Sequence, residues 1–384
     1  MTGATRSTAS ARVAVVGVGN TAFSRDPGND VYDLALSAFH DAVADCGIDK
    51  NEIDGIVIHR SPDYQRFCEL AGISPKLLGT YPAQGRMSGA AISTAVDAIV
   101  SGTARVVALV YSNVGRSAGQ TYGGAGDTYG SGGAGQWFPY GMTSPGAMHA
   151  MLFRRHMEEY GTTQEQLAEV AMTFRRHASL NPGAVMREPY TLEDYLASRY
   201  ICAPLRLLDY CLINDGAVVM IVAAADRAKD LSKPPVYIRG VAQATAFKGS
   251  TMPPEDYWYA PMQAAGSAAH AMAGTTQADI DALMIYDNFT PTVLFSLEGF
   301  GYAPRGESGR WVQEGHLRLG GRYPANTCGG HLSESYMQGW ALNAEAVRQI
   351  RGECGARQVK DAGLVHFLSA APITSTVIYG AEPR

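Results

Sequence analysis

An internal repeat constrains this chain more than any other feature. Asp49-Lys-Asn-Glu-Ile-Asp-Gly-Ile-Val-Ile-His59 and Thr276-Gln-Ala-Asp-Ile-Asp-Ala-Leu-Met-Ile-Tyr286 share a short acidic helix end, an Ile-Asp step and an apolar strand, at a constant offset. A second match follows in the same order. Gly85-Arg86 through Tyr111 parallels Gly329-Gly330 through Ile350 and then Leu364-Val-His-Phe-Leu368, each a glycine-bearing loop, a buried helix and a strand. The first of these helices, Arg86 to Gly102, is small and apolar almost all round, so it must be packed on every side. Two matches predict an α/β chain of two similar halves packed face to face, each sending one helix into a shared centre. A length of 384 residues, more than one hydrophobic core usually supports, agrees.

The remaining elements follow from pattern. Arg12-Val-Ala-Val-Val-Gly-Val-Gly19 predicts a buried strand; its Gly17-x-Gly19 lacks the third glycine of a dinucleotide fingerprint, so no such site is expected. Asp30 to Cys46 has helical spacing, with Asp30 as N-cap and Gly47 as stop. Arg105 to Tyr111 reads as a strand. Gly115 to Gly146, rich in Gly, Ser and Tyr with Trp137, is an irregular excursion: either a surface loop, or a cover for a ligand or a dimer contact. Ala147–Gly161 and Thr163–Asn181 read as helices whose basic triplets, Arg154-Arg155-His156 and Arg175-Arg176-His177, are expected to face solvent. Asn214-Asp-Gly216 reads as a hairpin-like turn before an apolar strand. Lys233-Pro-Pro235 breaks the chain, which gives an expected N-terminal half of 12–232, carrying a loop insertion at about 115–204, and a C-terminal half of 233–384. Residues 1–11 are expected to be disordered.

Composition narrows the partners. A formal net charge of −5 argues against nucleic acid, which calls for a basic face. Only 17% of residues are charged, low for a monomer with all its surface in water, so burial against a second copy or a partner is expected. The six cysteines show neither CxxC nor Cys/His ligand spacing, so no metal site and no disulfide framework are predicted, and a reduced, cytoplasmic setting is the simple reading. No apolar run has the length of a membrane span or, near the N-terminus, of a signal peptide.

Against this background Pro324 to Trp340 stands out, because it carries Tyr336 from a glycine loop towards the start of the second central helix. Tyr286 ends a strand of the same half. Strand ends and helix starts are where α/β sheets usually bind ligands. A buried phenol there either closes a hydrogen bond or carries a proton.

From Val13 to Tyr379 the chain resembles the thiolase superfamily, and its sterol-carrier-protein-like branch in Val15-Val-Gly-Val-Gly19, Leu205 to Ala217 and Tyr286-Asp-Asn-Phe289. The resemblance implies the thiolase fold: two βαβαβαββ halves packed as a five-layered αβαβα core with an inserted loop subdomain. It also exposes departures. Arg86 stands at the position of the nucleophilic cysteine, Ser335-Tyr336-Met337 at the Gly-His-Pro motif, Ser369-Ala-Ala-Pro372 at the second cysteine, and Tyr286 at the Asn or His of the oxyanion hole. Claisen chemistry through an acyl-cysteine has lost its residues. Tyr286-Asp-Asn-Phe-Thr-Pro291 and Gly329-Gly-His-Leu-Ser-Glu-Ser-Tyr336 are similar to the thiolase-like aldolases of steroid side-chain degradation.

That resemblance implies retro-aldol cleavage of a β-hydroxyacyl-CoA, releasing a ketosteroid and propionyl-CoA, with coenzyme A entering only as part of the substrate and no separate cofactor. It implies a homodimer and an OB-fold, zinc-ribbon partner, together a heterotetramer. Tyr286 and Tyr336 are expected to divide the base and acid roles. Asp287 and Asn288 either orient Tyr286 or cap the next helix, with capping favoured. Gly329, Gly330 and His331 form the loop, and His331 either reaches the site or bonds backbone. Arg86 either attracts an anion or pairs with a neighbour such as Glu334. Cys328 is either a displaced nucleophile or a small buried residue, the latter favoured. Other activities stay open: a degenerate thiolase acting on β-ketoacyl-CoA, or a non-catalytic acyl-CoA or lipid-binding subunit of a larger complex.

Overall fold

The computed structural model describes residues 12–26, 28–81, 86–121, 145–248 and 254–383. Segment 1–11, most of the Gly115–Gly146 excursion with Trp137, and Gly85 lie outside the described residues.

The first half runs β1 (Val13–Asn20), α1 (Val31–Cys46), β2 (Gly55–His59), α2 (Tyr64–Ala71), β3 (Leu77–Tyr81), α3 (Ser88–Val100) and β4 (Val106–Val114). Asp30 caps α1 through the backbone N–H groups of Tyr32 and Asp33, and Gly47 stops it in the left-handed conformation at φ 70°. Gly17 and Gly19 serve packing. A Cβ on Gly19 would lie 2.1 Å from the Ala38 carbonyl oxygen, so only glycine lets α1 lie this close to β1. Between β4 and the next long strand lie α4 (Pro145–Tyr160), α5 (Gln164–Ser179), α6 (Leu192–Ala197) and the short pair β5 (Tyr200–Cys202) and β6 (Leu205–Arg206). The chain then returns through β7 (Asp215–Ala224) and α7 (Ala225–Ala228).

The second half runs β8 (Val236–Thr245), α8 (Tyr259–Ala273), β9 (Ala282–Ile285), α9 (Thr290–Gly299), α10 (Ser308–Gln313), α11 (Gly330–Ser333), α12 (Trp340–Arg351), β10 (Leu364–Ser369) and β11 (Ile373–Gly380). The strands are ordered β3-β2-β4-β7-β1-β8-β11-β10-β9. The repeat matches β2 with β9 and β4 with β10, so the order reads as its mirror about the β1–β8 junction. That junction is only two Cα pairs long, Ala14 with Tyr237 and Val15 with Val236. The counterpart of β3 in the second half is reduced to one parallel bridge, Leu283 to Ala325.

Strand alternation sorts the core into three apolar layers. Val107, Leu109 and Tyr111 of β4 meet Phe367 of β10 in the centre, with Ile92 and Ala95 of α3 and Leu342 of α12. Val106, Ala108 and Val110 face α1 on one outside, and Leu283 and Ile285 of β9 face α8 and α9 on the other. Two sheet halves between three helical layers give the αβαβα order.

Two expectations fail here. Asn214-Asp-Gly216 is no hairpin turn: β7 begins at Asp215, whose carboxylate accepts the N–H groups of Arg116 and Ser117. The basic triplets do not simply face water either. His156 is fully buried between Thr162 Oγ1 (2.7 Å) and Glu298 Oε1 (3.3 Å). Arg175 is buried and donates to Ser333 Oγ at 2.8 Å, and His177 Nδ1 donates to the Ala325 carbonyl at 2.9 Å. Glu298, Ser333 and Ala325 lie far away in sequence, so these bonds tie α4 and α5 to α9, to α11 and to the segment before α11.

Candidate active site

Tyr286 follows β9 directly and points into the central layer. Its N–H donates to the Leu368 carbonyl at 2.8 Å, and the Asn326 side chain bonds both the N–H (2.6 Å) and the carbonyl (2.8 Å) of Ile285, so the strand end is fixed. Tyr336 lies four residues before α12 rather than at its start, because Gln338 (φ 47°) and Gly339 (φ 90°) leave the helical region. Its N–H donates to Asn214 Oδ1 at 2.7 Å. The two phenol oxygens are 3.0 Å apart, the rings edge to face, with Tyr286 buried and Tyr336 half-buried.

His331 packs edge-on against both tyrosine rings, with centroids 4.6 Å from Tyr286 and 5.2 Å from Tyr336. Its Nε2 accepts the Gly339 N–H at 2.9 Å, which places its proton on Nδ1. Nδ1 lies 3.3 Å from Asp287 Oδ1 but out of hydrogen-bond alignment. Burial, helped by the Arg86 charge, lowers His331 to about 3, so the ring is neutral. Asp287 is also buried, which pushes its carboxyl well above the usual range against the bonds it accepts from the His331 (2.9 Å) and Leu332 (3.2 Å) N–H groups. It therefore caps α11 across the loop, not the helix that follows it. Asn288 does not fill the N-cap of α9 either; that place is Phe289, and Asn288 Oδ1 accepts from Thr292 Oγ1 at 2.9 Å.

The loop glycines permit this packing. A Cβ on Gly330 would lie 2.2 Å from Asp287 Oδ2, and one on Gly329 would lie 2.6 Å from the Ala178 Cβ; both residues have positive φ. Cys328 is buried, and burial together with Glu334 raises its thiol well above its ordinary value, which opposes thiolate formation.

Arg86 enters from the start of α3 in a left-handed conformation, φ 61°. Its guanidinium lies over the faces of Tyr286 (5.5 Å) and Trp258 (5.7 Å) and donates to His149 Nε2 at 3.2 Å. His149 Nδ1 donates to the Pro145 carbonyl at 2.8 Å, leaving Nε2 as acceptor. Burial and the neighbouring guanidinium lower His149 to about 3. The expected pairing of Arg86 with Glu334 is not formed. Glu334 instead accepts from Asn181 Nδ2 at 3.0 Å. Sequence reasoning missed His149, Trp258 and Asn214: a lone helical histidine, one of four tryptophans and an apparent turn asparagine carry no local signal. No cluster of three or more His, Cys, Asp or Glu side chains placed to hold a metal occurs among the described residues.

The site thus presents two touching phenols, a neutral imidazole and a fixed guanidinium. Residues 244–379 match the family described as Thiolase C-terminal domain-like. The chain belongs to the thiolase-like family that includes the steroid side-chain-cleaving aldolases. It is 35% identical to the steroid side-chain-cleaving aldolase of Thermomonospora curvata, over 96% of this chain and 98% of that protein. It is 36% identical to the 17-hydroxy-3-oxo-4-pregnene-20-carboxyl-CoA lyase of Mycobacterium tuberculosis, over 89% and 92% of the respective lengths. The solved Ltp2-ChsH2(DUF35) aldolase superposes with a TM-score of 0.90 at 34% identity, covering 98% of this chain and 100% of that one. Human mitochondrial 3-ketoacyl-CoA thiolase, at 15% identity, 96% and 98% coverage and TM-score 0.71, shares the fold alone.

Proposed function

We propose that this protein cleaves a β-hydroxyacyl-CoA, of the steroid side-chain class, by a retro-aldol reaction between Tyr286 and Tyr336. The observation that carries the reading is the 3.0 Å contact between the two phenol oxygens. One tyrosine, as phenolate, takes the proton of the β-hydroxyl. The oxygen then forms the ketone C=O, the Cα–Cβ bond breaks, and its electron pair becomes the enolate of the thioester. The other tyrosine protonates its Cα and becomes phenolate, and the phenol–phenol hydrogen bond then passes the hydroxyl-derived proton from the first tyrosine to the second, which restores the starting phenolate and phenol. Proton and electron counts close with a ketosteroid and propionyl-CoA as products. A guanidinium facing Tyr286 favours the ionised phenol and opposes the cost of burying that charge. The neutral His331 packs both rings without adding a charge.

The same reading proposes an acyl-CoA ligand, with CoA as part of the substrate, and a cytoplasmic complex of a homodimer with an OB-fold, zinc-ribbon partner. A DUF35 component in the name of the similar aldolase structure supports the partner. The edge strand β3, with Leu78 exposed, supports the dimer. None of the helices is long and apolar enough to cross a membrane among the described residues. The test is turnover of a β-hydroxyacyl-CoA by Tyr286→Phe and Tyr336→Phe. Each is expected to lose about 10²–10⁴-fold in kcat, the scale of general acid–base catalysis. Full turnover by both would end the proposal.

A further inference from the structure

We propose that the Ser369 hydroxyl is a third catalytic group, donating a hydrogen bond to the thioester oxygen on which enolate charge develops; this rests on the retro-aldol reading above. Ser369 ends β10, is fully buried, and its Oγ has no hydrogen-bond partner among the described residues. Buried hydroxyls are nearly always satisfied, because an unpaired one keeps its full desolvation cost. A position that retains such a group is suited to a partner that arrives later.

The strand register says where that partner would lie. Val365 and Phe367 of β10 face the central layer and Leu368 faces outward, so alternation turns Ser369 inward. On one side, β9 pairs Ile285 with Leu368, and the next N–H, that of Tyr286, donates to the Leu368 carbonyl. On the other side Ser369 pairs with Ser375, whose hydroxyl donates to the Arg86 carbonyl at 3.1 Å. Ser369 therefore stands between the strand that carries Tyr286 and the residue that holds Arg86, all on the central face. Ser375 is satisfied; Ser369 is not. Tyr336 and Arg86, which border this face, are each only partly buried as residues.

The chemistry asks for such a donor. When the Cα–Cβ pair moves into the thioester, negative charge grows on its oxygen and leaves again when Cα takes its proton. The Tyr286 and Tyr336 hydroxyls are engaged with each other and with the proton in transit. A serine O–H can donate throughout without giving up its proton, as an oxyanion-hole donor does.

The full chain, assayed with β-hydroxyacyl-CoA and with its partner protein where turnover needs one, is compared with Ser369→Ala and Ser369→Thr. Ser369→Ala is expected to keep or raise the Tm, since it removes an unpaired polar group, while kcat falls about 10²–10³-fold and KM changes less than about threefold. Ser369→Thr, which keeps the hydroxyl, recovers part of the rate. Two results overturn the inference: a kcat within about twofold of wild type in Ser369→Ala, or a loss that tracks a lowered Tm. If the wild-type protein itself cleaves no β-hydroxyacyl-CoA, the retro-aldol reading fails and this inference falls with it. Cleavage by wild type and Ser369→Ala alike removes Ser369 only.

Discussion

The hydroxyls of Tyr286 and Tyr336 are 3.0 Å apart although the residues are separated by 50 positions in the chain. Groups that pass one proton between them act as a unit, and losing either disables the unit. The double variant Tyr286→Phe/Tyr336→Phe is therefore predicted to retain kcat/KM within about threefold of the poorer single variant. Losses that multiply would indicate two independent roles.

Gly330 has φ 63°, and a Cβ there would strike Asp287 Oδ2. Gly330→Ala is predicted to destabilise by about 3–5 kcal/mol, from left-handed strain plus disturbance of the two backbone bonds to the buried carboxyl. Gly320 supplies the control, with φ 83° and no atom within 4 Å of the place a Cβ would take. Gly320→Ala is predicted to cost only about 1 kcal/mol. Denaturant unfolding of both variants measures the difference.

His149 is neutral in the folded protein, lowered to about 3 by burial and Arg86, against 6.5 for the free side chain. Below pH 6.5 the unfolded chain binds a proton there that the folded chain refuses, so stability from this group is lost as pH falls from 6.5 towards 3. The slope is about 1.4 kcal/mol per pH unit. Glu334, raised to about 7 by burial, and Asp209, raised to about 6 by burial, act in the opposite sense and lose stability as pH rises. The His149 contribution is isolated by difference. The destabilisation caused by His149→Gln is predicted to shrink by about 1.4 kcal/mol per unit between about pH 6 and pH 4. A difference that does not vary with pH would mean that His149 is protonated in the fold.

Cys328 lies beside the glycine loop, but its buried thiol is raised well above its ordinary value. Cys328→Ala is predicted to keep kcat within about threefold and to lose about 1 kcal/mol of stability, the scale of one small buried group. A collapse of turnover with the fold intact would restore the displaced-nucleophile reading.

Much of this architecture was legible because its signals are local. The Ile-Asp repeat marks β2 and β9, and Asp30 and Gly47 mark the ends of α1 within one turn. The two tyrosines were visible as motif residues. What was not legible depends on long-range packing. Arg175 reads as a solvated charge until Ser333, 158 residues on, meets it in the core. Asn214 reads as a turn residue until it accepts the Tyr336 N–H across 122 residues. The displacement of α12 past Tyr336 depends on backbone conformations at Gln338 and Gly339, the first of which no composition rule would assign. The Arg86–His149 pair joins a loop and a helix that share no pattern.

The most direct measurement is a mass balance on β-hydroxyacyl-CoA and β-ketoacyl-CoA, each incubated with the protein, alone and with its partner, with and without free CoA. Retro-aldol cleavage predicts equal yields of ketone and shortened acyl-CoA from the β-hydroxy substrate, with no free CoA consumed. Cleavage that requires CoA and acts on the β-keto substrate would contradict it in favour of a thiolase, and tight binding without turnover would contradict it in favour of a scaffold.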